Sequence, residues 1–146
     1  MIDCKDLMVG NFVKTPIGIV KVYNIINDAI IADTRDICYA KGLDGIPVTR
    51  ELLEKMGFKK DMTAGEPWEF WRYWDKDGRY KLDVYPEELY CNSNRKFGLH
   101  VDNGVCNSIG SGEFSYVHEL QNLTRIITGH SLPITKEVFD GLGNDA

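Results

Sequence analysis

His118, Gln121, Asn122 and Arg125 are spaced so that an α-helix places all four on one side. Together they offer hydrogen-bond donors, acceptors and one permanent cation, a set suited to base edges, ribose or an anionic group. A helix side that meets only water more often carries Lys and Glu, which form helices better than Asn or His. A second constellation is Trp68-Glu69-Phe70-Trp71-Arg72-Tyr73-Trp74, five aromatics in seven residues, with Arg79 beyond it. Trp71 and Tyr73 would stack on a planar base, while Arg72 and Arg79 would hold its phosphates. The candidate ligand-binding set is therefore Trp71, Arg72, Tyr73, Arg79, His118, Gln121, Asn122 and Arg125. Each half has a plainer reading. The helix stripe would equally tie the helix to backbone groups otherwise buried unpaired. The rings would equally serve as core, or as a subunit interface rich in Trp, Tyr and Arg.

Catalytic machinery is not evident. Gly110-Ser111-Gly112 is too short for a phosphate loop and lacks its Lys-Ser/Thr. There is no GxSxG elbow and no dinucleotide fingerprint. His118-Glu119 opens like a zinc-protease motif, but Asn122 stands where the second imidazole belongs. Asp83, Glu87, Glu88 and Glu113 are acids whose spacing does not lift them above solvated surface groups. No catalytic residue, cofactor or resident metal is expected, and the protein is read as leaning away from an enzyme.

The elements that must position these residues are legible in outline. Phe12 and Val13 lead to a turn at Pro16-Ile17-Gly18, and Ile19 to Ile25 alternate as a strand. Asn27-Asp28 turns into Ala29 to Ala32, with a fourth strand near Asp36 to Tyr39. This predicts a β meander or a small SH3-like barrel over 1–40. Thr49 is an N-cap for a short helix carrying Leu52, Leu53 and Met56, and Gly57 is its left-handed stop. Trp68 to Trp74 and Arg79 to Tyr85 form a hairpin about Asp77-Gly78. Residues 95–106 read as another hairpin turning at Asp102-Asn103-Gly104, and Ile109 to Gly112 as a flexible connection. The last helix runs from about Ser115 to Thr128 and stops at Gly129. Its core side is Tyr116, Val117, Leu120, Leu123, Thr124 and Ile127. The whole is a single α+β domain over 1–146, with 41–146 forming the portion that ends in the C-terminal amphipathic helix packed on the sheet.

Composition narrows the function classes. The 146 residues carry a formal net charge of −5, which argues against broad, salt-driven nucleic-acid binding. No run approaches the length of a membrane span, and the first residues lack a signal-peptide pattern, so a cytoplasmic location in a bacterial host cell is expected. Cys4, Cys38, Cys91 and Cys106 show no CxxC spacing and read as free thiols.

Three stretches carry a resemblance. Leu7-Met8-Val9-Gly10-Asn11-Phe12-Val13, Val48 to Phe58, and Tyr116-Val117-His118-Glu119-Leu120-Gln121-Asn122-Leu123 with Thr128-Gly129 resemble the opening, middle and closing segments of one family. Its members are small proteins of Bacteroidetes genomes, their phages and mobile elements, marked by a closing YVHxLQNL…TG motif. The sequence departs from that pattern at Glu119, where Gln is frequent, and at Thr124, where an aromatic is common. The resemblance implies no activity; it implies a phage or mobile-element accessory protein. By analogy with phage proteins that sequester nucleotide immune signals, the expectation is a non-catalytic, homo-oligomeric binder of a small anionic, nucleotide-like ligand. The alternatives are a protein-interaction module that inhibits a host protein, and a metal-dependent nucleotide hydrolase.

Overall fold

The computed structural model describes residues 2–61, 69–86, 96–103 and 107–142. It is an α+β protein built on two antiparallel sheets and one main helix. The first sheet is a four-stranded meander of β1 (Phe12–Thr15), β2 (Gly18–Ile26), β3 (Ala29–Ala32) and β4 (Ile37–Tyr39). Its strand order is sequential and β1 does not pair with β4, so the meander stays open and does not close as a barrel. Alternation decides its faces: Val20 and Val22 are buried while Lys21 and Tyr23 are exposed. Val13, Val20, Val22, Ile30 and Leu43 gather with Ile2, Cys4 and Leu7 into one core cluster. Cys4 and Cys38 are buried free thiols.

A short helix α1 (Arg50–Lys55) follows. Thr49 caps it, its hydroxyl accepting from the Leu52 amide at 3.1 Å. Gly57 turns out of it at φ 99°, and the buried Phe58 closes back with its amide on the Leu53 carbonyl. The second sheet then runs in sequence order as β5 (Lys59–Asp61), β6 (Phe70–Trp74), β7 (Tyr80–Pro86), β8 (Phe97–Asn103) and β9 (Ser108–Phe114). Its inner face supplies Trp71, Tyr73, Tyr80, Leu82, Val84, Leu99 and Val101 to the larger core, with Leu52, Leu53 and Phe58 above them.

Two sequence expectations change here. Strand β8 continues through Asp102 and Asn103, so the expected turn residues Asp102 and Asn103 are paired in the sheet. Residues 109–112, expected as a flexible connection, lie in β9. The reason is packing, since α2 (Val117–Thr128) lies close over that strand. A Cβ on Gly110 would stand 2.7 Å from Ile127, and one on Gly112 2.7 Å from Leu123. The glycines are the clearance that lets helix and strand approach.

Helix α2 stops at Gly129, φ 77°, whose amide bonds the Arg125 carbonyl. Its start is fixed by Glu119, which accepts from the Ser115 and Tyr116 amides at 3.0 and 3.1 Å. Val117, Leu120 and Thr124 are buried, as the periodicity predicts, whereas Tyr116 is 39% exposed. Thr124 is buried without penalty because its hydroxyl donates to the Leu120 carbonyl. No helix among the described residues is long and apolar enough to cross a membrane.

Candidate functional site

The eight sequence-predicted residues do not converge on one cavity. The helix stripe divides. His118, expected beside Gln121 on the polar side, is 5% exposed and stacks on Tyr116 with ring centroids 5.9 Å apart. It lines a cleft with Asp3, Asp6, Asp44 and Glu119. Gln121, Asn122 and Arg125 line a different and smaller cleft of about 230 Å³, opposite Lys21 and the 131–134 segment.

Within that cleft the two amides are already committed. Gln121 Oε1 accepts from the Phe12 amide at 2.9 Å and its Nε2 donates to the Gly10 carbonyl at 3.1 Å. Asn122 Oδ1 accepts from Asn11 Nδ2 at 2.8 Å and its Nδ2 donates to the Asp6 carbonyl at 2.9 Å. Asn11 in turn accepts from the Met8 amide. These side chains therefore hold the 6–12 segment on α2.

The aromatic strand divides by face. Trp71 and Tyr73 point inward and are 7% and 8% exposed. Trp71 Nε1 donates to Glu69 Oε2 at 2.8 Å, and Arg50 grips the same carboxylate with its closest contact at 2.7 Å. The Arg50 hydrogen bonds, with that from Trp71, hold the Glu69 pKa below the usual range against its burial. Trp68 lies outside the described residues.

Arg79 clamps the β6–β7 turn: its guanidinium donates to Asp75 at 2.7 and 3.0 Å and reaches the His130 ring at 3.0 Å. Those hydrogen bonds from Arg79 are the main reason the Asp75 pKa is lowered to about 2. A carboxylate whose folded pKa is depressed stabilises the fold above its unfolded value and loses that contribution as pH falls through the folded one. Acid titration should therefore weaken wild type progressively from about pH 4 to about pH 2. Asp75→Asn should remove that part of the acid sensitivity, as read by urea midpoints at several pH values. An unchanged pH profile in the variant would refute the assignment.

The outward face of the second sheet is where polar chemistry collects. Register places Arg72 opposite Asp83, Asp83 opposite His100, and Trp74 opposite Lys81, which faces Asp102. Arg72 bonds Asp83 at 2.7 Å and Asp61 at 3.0 Å. Lys81 Nζ lies 3.1 Å from Asp102 and 3.7 Å from Asp83. The ring of Trp74 stands over that ammonium at 5.6 Å and is itself 60% exposed. At the neighbouring edge, Gly57, Lys59, Lys60, Asp61, Arg72, Tyr73 and Trp74 line an open cleft of about 740 Å³. Lys59 and Lys60 bring two ammonium groups to this cleft, and Lys60 is near enough to Glu69 to help lower its pKa.

Two of the predicted residues, Arg72 and Tyr73, therefore meet in this cleft, and three others meet in the smaller one. Trp74, Lys59 and Lys60 were absent from the predicted set. Strand parity held the signal for Trp74, which shares a face with Arg72 and not with Trp71. His100 and Asp102 were also missed, although two-residue spacing in a strand puts both on one face. No protein-family model, curated protein or solved structure matches this chain.

Proposed function

We propose that the protein binds a small anionic, nucleotide-like ligand, without turning it over, in the open cleft lined by β5 and the end of β6. The observation that carries this is Trp74, an exposed indole at an open cleft that Lys59 and Lys60 also line. A flat π-face beside ammonium groups matches a base joined to phosphate. Arg72 contributes mainly by position, because Asp61 and Asp83 already occupy its donors. The resemblance to phage and mobile-element proteins supplies a setting, in which such a binder would sequester a nucleotide immune signal.

A panel of cyclic and linear nucleotides, followed by tryptophan fluorescence and thermal shift, tests this. At least one member should bind saturably. Trp74→Ala should weaken that binding by about 5- to 150-fold, the equivalent of about 1–3 kcal/mol of stacking. Its effect on folding should be small, since the ring is mostly exposed. Lack of binding by every nucleotide would overturn the reading and turn attention to a protein partner. For such a partner, Ile17, Ile37 and Tyr39 already offer exposed apolar surface beside Pro16.

A further inference from the structure

The geometry points to a divalent transition-metal site on the outward face of the second sheet, formed by Asp83, His100 and Asp102. One donor atom from each residue lies within 4.8 Å of the others, a spread that small side-chain rotations would close onto a single ion with bonds of about 2.0–2.2 Å. The sheet builds the cluster without strain. His100 and Asp102 are two residues apart on β8, and Asp83 is the cross-strand partner of His100 on β7.

Two carboxylates facing Lys81 alone would be an ordinary surface ion-pair cluster. The imidazole changes the chemistry, because nitrogen with carboxylate oxygens favours ions such as Zn²⁺, Co²⁺ or Ni²⁺ over Ca²⁺ or Mg²⁺. His100 is also oriented for the task. Its Nε2 is 3.0 Å from Ser108 Oγ, which turns Nδ1 toward Asp102 Oδ1 at 3.6 Å. A second hydrogen bond on the far ring nitrogen is the usual support of a ligating histidine.

The position already attracts a cation. Lys81 Nζ sits between the two carboxylates, and its side chain is only 12% exposed. A bound metal would compete with that ammonium, which would keep its existing cation–π contact with the Trp74 ring at 5.6 Å. Arg72 would remain on Asp83 and Asp61, keeping the charge of the face balanced. The site stands whether or not the neighbouring cleft takes a nucleotide, and it is tested with the metal alone.

Titration of the full chain with Co²⁺, read from its visible absorption bands and by calorimetry, should show saturable binding of one ion. His100→Ala and Asp102→Asn should each weaken it at least about 10-fold, and Ser108→Ala should weaken it by roughly the same factor through the ring orientation. Lys81→Met should tighten it, because the competing ammonium is gone. Far-UV circular dichroism of each variant confirms that it is folded. Absence of binding below about 1 mM Co²⁺ in wild type, or binding that survives His100→Ala, would overturn the site. Equal or weaker binding in Lys81→Met would overturn the exchange.

Discussion

Trp71→Ala should destabilise the fold by about 3–5 kcal/mol, while Trp74→Ala, three residues along the same strand, should change it by less than about 0.5 kcal/mol. The two rings differ in what they touch. Trp71 is 7% exposed in the larger core, and its indole N–H donates to Glu69. Removing it empties a volume that Val84 and Leu82 on the next strand cannot refill, because cores are close-packed and relax only partly. It also takes one of the donors from a carboxylate that is itself 9% exposed. Arg50 remains on that carboxylate, so the dominant loss is packing and not an orphaned charge. Urea denaturation of the two variants side by side is the measurement. A small effect for Trp71→Ala would mean that the strand does not face the core as described, and the assignment of Trp74 to the solvent side would fall with it.

That contrast also shows what the sequence can and cannot carry. Thr49, Gly57 and Gly129 announced helix ends because each supplies a local requirement, a capping hydroxyl or a positive φ. The meander was readable because Val20 and Val22 alternate with Lys21 and Tyr23 against a core. Strand β9 was not, since Ile109-Gly110-Ser111-Gly112 has loop composition and becomes a strand only because Leu123 and Ile127 lie over its glycines. Strand β5 is three polar residues at a sheet edge, with no periodicity to detect. The register shift between Val101 and Asp102 lengthens β8 past an apparent turn, a change invisible before β8 and β9 are aligned.

The candidate site divides along the same line. Parity could have separated Trp74 from Trp71, but nothing local says which parity faces water. His100, Asp102 and Asp83 become neighbours only through strand pairing. Helical periodicity did place Gln121, Asn122 and Arg125 together. It could not reveal that a segment more than a hundred residues earlier in the chain would cover the first two.

Gln121→Ala should lower stability by about 2–3 kcal/mol and should not act by weakening ligand binding at the Trp74 cleft. The side chain answers both an amide and a carbonyl of the chain entering β1, Phe12 N–H and Gly10 C=O. Alanine leaves both without that partner. An unmet buried backbone group costs about 1–3 kcal/mol, reduced here because the contacts are only part-buried and water has access from the adjoining cleft. The consequence reaches beyond one residue. Phe12 is 2% exposed and packs on Phe139 at 5.0 Å, so loosening the chain at Gly10 to Phe12 also loosens the β1 and C-terminal parts of the core. Gln121→Glu is the discriminating companion. A carboxylate can still accept from the Phe12 amide but cannot donate to the Gly10 carbonyl, and it sets a negative charge beside that oxygen. Glu should therefore be no better tolerated than Ala if the amide is a two-way tie, whereas a site that merely lines a cleft would leave both variants near wild-type stability. Chemical denaturation of the pair, with Asn122→Ala as a more exposed and milder reference, decides between the two roles.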